Sequence, residues 1–321
     1  MILVPTAVWC VAYGLMSLAW ALGAPGFPFG DGDSRGREMG SLLASAHPVP
    51  TGVALGCGAL IAAATAVWAM RRPGRAPGVV LLVCAAALLA VVPDVRLLQN
   101  LAYSFSGFFG LVDRPVLNQA LCVLGAGLLA RSAVVLLRPA AVDAGRWLTI
   151  GRWATLVAVL APLPYALQRA AWNLGLPLGV SQRFVDDLAA DVAAKGLPAA
   201  AAWMLVIPDV VGVLLTLGLI MRWGERFPRW VPLRGGRSVP VWLAVVPASV
   251  VSAAVTIAGL VVIRFAVEGG SVSATAAPGL LWLPWGLALG VATYAYAERR
   301  RDSESSTNRT TVGAVSTNRA D

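Results

Sequence analysis

The sequence predicts an all-α, polytopic membrane protein of about eight transmembrane helices, arranged as two parallel four-helix repeats. Three observations carry that expectation. The chain holds eight apolar stretches of membrane length, its arginines concentrate in alternate turns between them, and one motif recurs 152 positions apart. The background composition agrees: 58% hydrophobic and 13% charged residues, with a mean hydropathy of +0.74, against about a quarter charged in soluble domains.

A spanning helix needs roughly 20 apolar residues. On that criterion spans are expected at 3–23, 51–70, 78–98, 115–137, 153–173, 200–221, 240–263 and 280–297. Side follows from the positive-inside bias. Sixteen arginines occupy the segments around 71–75, 138–152, 222–237 and 299–319, while the alternate segments hold seven basic residues. Both termini are therefore expected in the cytoplasm. The net charge of +9 does not point to nucleic acid, because the cations sit between hydrophobic spans and not on one basic face. The N-terminus lacks a positively charged n-region, so the first stretch is expected to stay as a span and not to be a cleaved signal.

The repeat is read from Tyr13-Gly14-Leu15, Trp20, Leu22-Gly23 and Pro25, which recur as Tyr165-Ala166-Leu167, Trp172, Leu174-Gly175 and Pro177. Met70-Arg71 matches Met221-Arg222, and Thr65 matches Thr216, at an offset of 151. Four spans per copy is an even number, so both copies enter from the same side and the repeat is parallel. The expected organisation is one membrane repeat over 1–140, a second over 153–297, and a disordered cytoplasmic tail over 298–321.

Between the spans, residues 182–195 put Phe184, Val185, Leu188 and Val192 on one helical face and Asp186, Asp187 and Asp191 opposite, with Ser181 as N-cap. That pattern is an amphipathic surface helix. Residues 99–112 are apolar and aromatic but too short to span, and are expected at the interface.

Ionisable residues inside spans cost roughly 2.5–3.5 kcal/mol on insertion scales, so each needs a reason. Counting ~1.5 Å per residue, Asp209 lies ~14 Å below the outer boundary and Arg169 ~6 Å below it on the preceding helix. Side chains lean toward their own helix N-terminus, so the two are expected to pair. With Trp172, Asn173 and Thr216 they form the candidate intramembrane polar site, either a structural clasp or a carboxylate in a solute or proton path. Gly58 and Ser17 stand at the equivalent positions of the first copy, so any such site belongs to the second half. Asp94, with Arg96 two residues on, reads as a charged helix terminus. Arg131 and Arg264 can snorkel to an interface. Asn118 and Gln119 read as interhelical hydrogen-bonding groups, and Gly286-x-x-x-Gly290 with Ala248, Ser252 and Thr256 as close-contact surfaces, within the chain or between copies.

No phosphate-binding loop, paired acidic metal motif, HExxH or GxSxG with a usable histidine is present. The four cysteines form no CxxC and the one histidine, His47, precedes Pro48 in a loop, so neither a metal nor a cofactor is expected. The reading leans to a non-enzymatic protein, either a small-solute permease or a membrane scaffold, with an intramembrane lipid-handling enzyme as the competing class. Its partners are the lipid bilayer and a small-molecule or lipid ligand; a homo-oligomer is compatible with the small-residue stripes.

The loop Trp223-Gly224-Glu225-Arg226-Phe227-Pro228-Arg229-Trp230-Val231-Pro232, followed by Gly235-Gly236-Arg237-Ser238-Val239-Pro240, resembles a loop of uncharacterised integral membrane proteins of actinobacteria, and the likeness covers mainly residues 160–300. It implies no activity; it does imply a bacterial plasma membrane. Using 24 arginines against one lysine fits a high-GC genome. Physically, Arg222, Arg226, Arg229 and Trp230 are placed to meet anionic lipid headgroups at the cytoplasmic interface.

Overall fold

A computed structural model describes residues 2–104, 107, 109–137, 144–194, 202–203, 206–229, 232, 234–269 and 272–317. Eleven α-helices run in chain order among the described residues: α1 Leu3–Ala21, α2 Pro48–Arg71, α3 Arg75–Val91, α4 Arg96–Ser104, α5 Arg114–Leu137, α6 Ala144–Leu160, α7 Leu163–Asn173, α8 Gln182–Ala194, α9 Ile207–Leu217, α10 Val241–Glu268 and α11 Trp282–Thr317. Among them the only β pairing is an isolated bridge between Arg226 and Ser238. The chain is thus an all-α, multi-pass membrane protein.

Among the described residues, six segments are long and apolar enough to cross a bilayer: 3–21, 48–71, 114–137, 145–173, 241–268 and 277–301. The other two expected spans are shorter helices, α3 with 17 residues and α9 with 11. The 145–173 segment is not one straight rod. α6 ends at Leu160 and α7 starts at Leu163, where Pro162 and Pro164 deny the backbone two helical donors. α11 runs on past the apolar span into the polar stretch from 298 and is helical to Thr317. The interfacial stretch after residue 96 forms α4, and the amphipathic helix forms as α8, with Ser181 Oγ accepting from the Phe184 amide at 3.3 Å.

Two compact units divide the chain. Unit 1 comprises 1–140 with the last turns of α10 (260–269), and unit 2 comprises 141–259 with 270–321. In unit 1, small residues let helices approach closely. A Cβ on Gly52 would stand 2.5 Å from the Ser17 carbonyl oxygen, so α1 and α2 touch backbone to backbone there. Ala7, Cys10, Ala66, Leu81 and Ala126 fill the contact of α1, α2, α3 and α5. Polar groups inside it are paired across helices: Thr6 and Ser132 hydroxyls lie 2.8 Å apart, and Tyr13 OH donates to Asn118 Oδ1 at 3.4 Å. An edge-to-face ladder from Tyr13 through Trp20 and Phe27 to Phe29 carries the packing out of the helices into the following loop.

In unit 2 the Gly286-x-x-x-Gly290 stripe is used within the chain. A Cβ on Gly286 would come 2.6 Å from the Thr256 amide nitrogen, and Ser252 Oγ donates to the Gly286 carbonyl at 2.7 Å. The recurring Trp-x-Leu-Gly-x-Pro motif builds the same helix end twice. Ala24 and Gly23 amides donate to the Ala19 and Trp20 carbonyls (2.9 and 3.1 Å), and Leu176 and Gly175 amides to the Ala171 and Trp172 carbonyls (2.8 and 3.0 Å). Both are Schellman caps closed by a left-handed glycine, Gly23 at φ 95° and Gly175 at φ 78°.

Gly286→Ala should lower the stability of the detergent-solubilised protein by about 1–3 kcal/mol, because α10 and α11 must separate to admit a methyl group. Gly127→Ala, where an added Cβ meets nothing within 4 Å, should leave it unchanged. Thermal or SDS unfolding of the two variants checks this.

Candidate functional site

The polar residues of the second half do not form one cluster. The expected Arg169–Asp209 ion pair is not made. Arg169, on α7, lays its guanidinium over aromatic rings instead, 5.4 Å from the Trp172 centroid and 6.0 Å from that of Tyr165. Asp209 sits in the first turn of α9, directly after Pro208, and its Oδ2 is buried with no hydrogen-bond partner among the described residues. The physical reason is the helix start. The depth count assumed a helix from residue 200, whereas the helix carrying Asp209 begins at Ile207. Asp209 lies in the first turn of that helix, but no backbone amide of the described residues reaches its Oδ2.

The remaining candidates are structural ties. Trp172 is buried and its indole Nε1 donates to the Leu178 carbonyl at 2.9 Å, closing the turn after α7, while its ring meets Phe184 of α8 edge-on. Asn173 Nδ2 donates to the Ala202 carbonyl at 3.0 Å, fixing the approach to α9. Thr216 is buried and returns its hydroxyl proton to the Gly212 carbonyl at 2.7 Å. A residue that the sequence did not single out, Gln168, joins α7 to the start of the last span by donating to the Ala274 carbonyl at 2.9 Å.

Thr216 nevertheless borders a cavity of unit 2, about 680 Å³ between α9, α10 and α11. That volume is within the ~300–1,000 Å³ of small-molecule sites. Its wall is apolar: Leu215, Leu219, Leu243, Val251 and Leu289, with Pro247 inside α10, and among the described residues no ionisable side chain lines it. Leu215 and Leu243 are 61% and 41% exposed, so the cavity opens sideways between α9 and α10. Its end is closed by Trp223, Phe227 and Pro228 of the arginine-rich loop.

That loop is folded. Phe227 and Arg237 pair through an amide–carbonyl bond of 2.9 Å, as do Gly236 and Phe227, and Val239 and Glu225. The end of the apolar part of α11 holds it down: Tyr296 OH donates to the Gly224 carbonyl at 2.7 Å, Arg300 Nη2 to that of Val239 at 2.8 Å, and Arg299 to that of Leu219. Arg222, Arg226 and Arg229 are left exposed beside the residues that close the cavity; Trp230 lies outside the described residues.

Unit 1 contains the feature the sequence hid best. Arg96 is 0% exposed and sits between two buried carboxylates. Nη1 and Nη2 donate to the two oxygens of Asp33, both at 2.6 Å, and Nε and Nη2 to Asp94 at 3.0 and 2.6 Å. Gln119 Nε2 donates to Asp94 Oδ2 at 2.8 Å, and Asp113, which caps α5 through the Val116 amide, lies 3.9 Å from Arg96. Burial alone would lower the Arg96 pKa, but the two carboxylates holding its fork raise it above the usual arginine range. Asp94, just past the end of α3, is thus part of a buried network. Gln119 bonds the turn between α3 and α4 rather than a facing helix. Asp33 lies in a glycine-rich loop with no periodicity to mark it.

No family model matches the chain, and no curated protein or solved structure matches it.

Removing one member of a buried ion cluster leaves uncompensated charge and costs about 3–5 kcal/mol. Arg96→Met should therefore destabilise the solubilised protein by roughly that amount, and Arg131→Gln, at an exposed position of α5, by under about 0.5 kcal/mol. SDS titration of both variants measures the difference.

Proposed function

We propose that the chain is an eight-span bacterial plasma-membrane protein, built as two parallel four-helix repeats with both termini cytoplasmic, whose second half binds one anionic lipid. The acyl chains occupy the cavity between α9 and α10, and the headgroup is met by Arg222, Arg226 and Arg229. The single observation carrying the lipid reading is an apolar, laterally open cavity of about 680 Å³ whose closed end is flanked by exposed arginines. Anionic headgroups gather at the cytoplasmic leaflet and each nearby cation contributes about 1 kcal/mol.

Contacts at helix ends support the eight crossings. α2 runs from the 22–47 loop to Arg71, and α3 begins at Arg75; yet the residues just after α3, Asp94 and Arg96, meet Asp33 of the 22–47 loop. α3 therefore returns the distance α2 covered, and 17 residues reach about 25 Å. The approach to α9 is bonded to the end of α7 through Asn173 and Ala202, whereas Leu219 beyond α9 is bonded to Arg299 near the far end of the apolar part of α11. The twin Schellman caps at Gly23 and Gly175 support the repeat. The loop's likeness to actinobacterial membrane proteins supports the cellular setting.

A small-solute permease would need polar groups along its path. The cavity offers one hydroxyl, Thr216, already bonded to its own helix. A lipid-handling enzyme would need an acid or a base at the lipid, and none lines the wall. Binding without chemistry fits better, as in a scaffold that holds a lipid.

Native mass spectrometry of the full-length protein, given equal amounts of phosphatidylglycerol and phosphatidylcholine with identical chains, tests the reading. Phosphatidylglycerol should be retained about tenfold better, a difference of ~1.4 kcal/mol. Ala248→Trp, which fills the cavity, should abolish retention, and Arg222→Gln/Arg226→Gln/Arg229→Gln should erase the preference while leaving retention. Equal retention by the unmodified protein, or indifference to Ala248→Trp, would refute it. Separately, a reporter fused after the C-terminus should be active only in its cytoplasmic form; activity on the other side would overturn the orientation.

A further inference from the structure

A second cavity, of about 310 Å³, lies within unit 1 between the 37–45 turn and the last two turns of α10. It is chemically unlike the first. Arg264 reaches into it from α10. Its Nη2 donates to the Gly40 carbonyl at 2.8 Å, while its Nη1 is buried and has no hydrogen-bond partner among the described residues. A buried guanidinium nitrogen without an acceptor is costly, and a carboxylate is the acceptor that matches its planar edge. Glu268, one turn further along α10, lines the same cavity and makes no ion pair with Arg264. The pair therefore presents a cation and an anion side by side, in electrostatic contact but without a direct ion pair. Arg37 and the Ser41 hydroxyl come from the opposite wall, and Val261 and Phe265 supply an apolar side. Asp94, the remaining acid near this end of α10, is already bound to Arg96 and Gln119.

We infer that this cavity binds a small aliphatic α-amino acid, its carboxylate at the Arg264 guanidinium, its ammonium on Glu268 and its side chain against Val261 and Phe265. A simple carboxylate would place its hydrocarbon beside an unanswered Glu268 charge. Phosphate would leave both Glu268 and the apolar wall without a partner. The volume is at the lower end of the ~300–1,000 Å³ of small-molecule sites, as a single amino acid requires. The binding surface is preformed, because the turn bearing Arg37 and Ser41 follows Asp33, which Arg96 holds by two bonds of 2.6 Å.

The test uses the full-length protein in detergent, followed by its tryptophan emission on heating, with L-leucine, 4-methylpentanoate, leucinamide and phosphate at matched ionic strength. L-leucine should raise the melting temperature saturably. 4-Methylpentanoate lacks the ammonium and leucinamide the carboxylate, and each should bind at least about tenfold more weakly, ~1.4 kcal/mol. Arg264→Gln should abolish the leucine response. Because that variant also loses the bond to Gly40, Glu268→Gln at an exposed position provides a second reading: it should bring leucine and 4-methylpentanoate within about twofold of each other. No saturable response to leucine, an equal response to leucinamide or phosphate, or an undiminished preference for leucine over 4-methylpentanoate in Glu268→Gln would overturn the assignment.

Discussion

Hydrocarbon offers no hydrogen-bond partner, so every polar group a membrane chain carries inward must be answered by the chain itself. The Arg96 guanidinium is where this protein meets that constraint most sharply. One side chain gathers Asp33 from the first loop and Asp94 from the end of α3, and Gln119 of α5 completes the shell around Asp94. The planar fork fixes a segment 63 residues away, and the Gln119 amide ties Asp94 to one 25 residues away. The first loop then has a defined course, which is why Gly40 can stand against Arg264 and why the 37–45 turn makes one wall of a cavity. A pair of apolar residues could hold two helices together, but could not fix a glycine-rich loop.

Unit 2 solves the same problem with carbonyl acceptors. Its arginine-rich loop is anchored by Tyr296, Arg299 and Arg300 binding backbone oxygens, and its helices by Ser252 and Gln168 doing likewise. Backbone acceptors are available wherever a turn or a cap leaves a carbonyl without its helical donor. That frees the exposed arginines, Arg222, Arg226 and Arg229, from structural duty beside the apolar cavity.

The sequence exposed what depends on solvent and on local period. Apolar length marked the long helices, the alternation of Phe184, Val185 and Leu188 with acids marked α8, and the Leu-Gly-x-Pro signal marked two helix ends that share one cap. It did not expose what depends on where a helix begins. Asp209 was expected at mid-depth opposite Arg169, but depth is counted from a helix start, and prolines at 162, 164 and 208 moved the relevant starts and breaks. Nor did it expose long-range partners. The opposite charges of Asp94 and Arg96 at the end of an apolar stretch, with a polar Gln119 beginning the next, were the available signal for a buried network. The third member, Asp33, sits among glycines where no periodicity reports burial. Cavities are least legible of all, since an apolar stripe looks the same whether it meets a neighbour or a space.

The arginines at the end of the last span have two uses that a charge count cannot separate. They mark a side of the membrane, and through Arg299 and Arg300 they clamp carbonyls at 219, 225 and 239, with Tyr296 taking the one at 224. A purification handle or fluorescent fusion placed beyond residue 301 therefore leaves those bonds intact, whereas one spliced in at 296 would unlatch the loop.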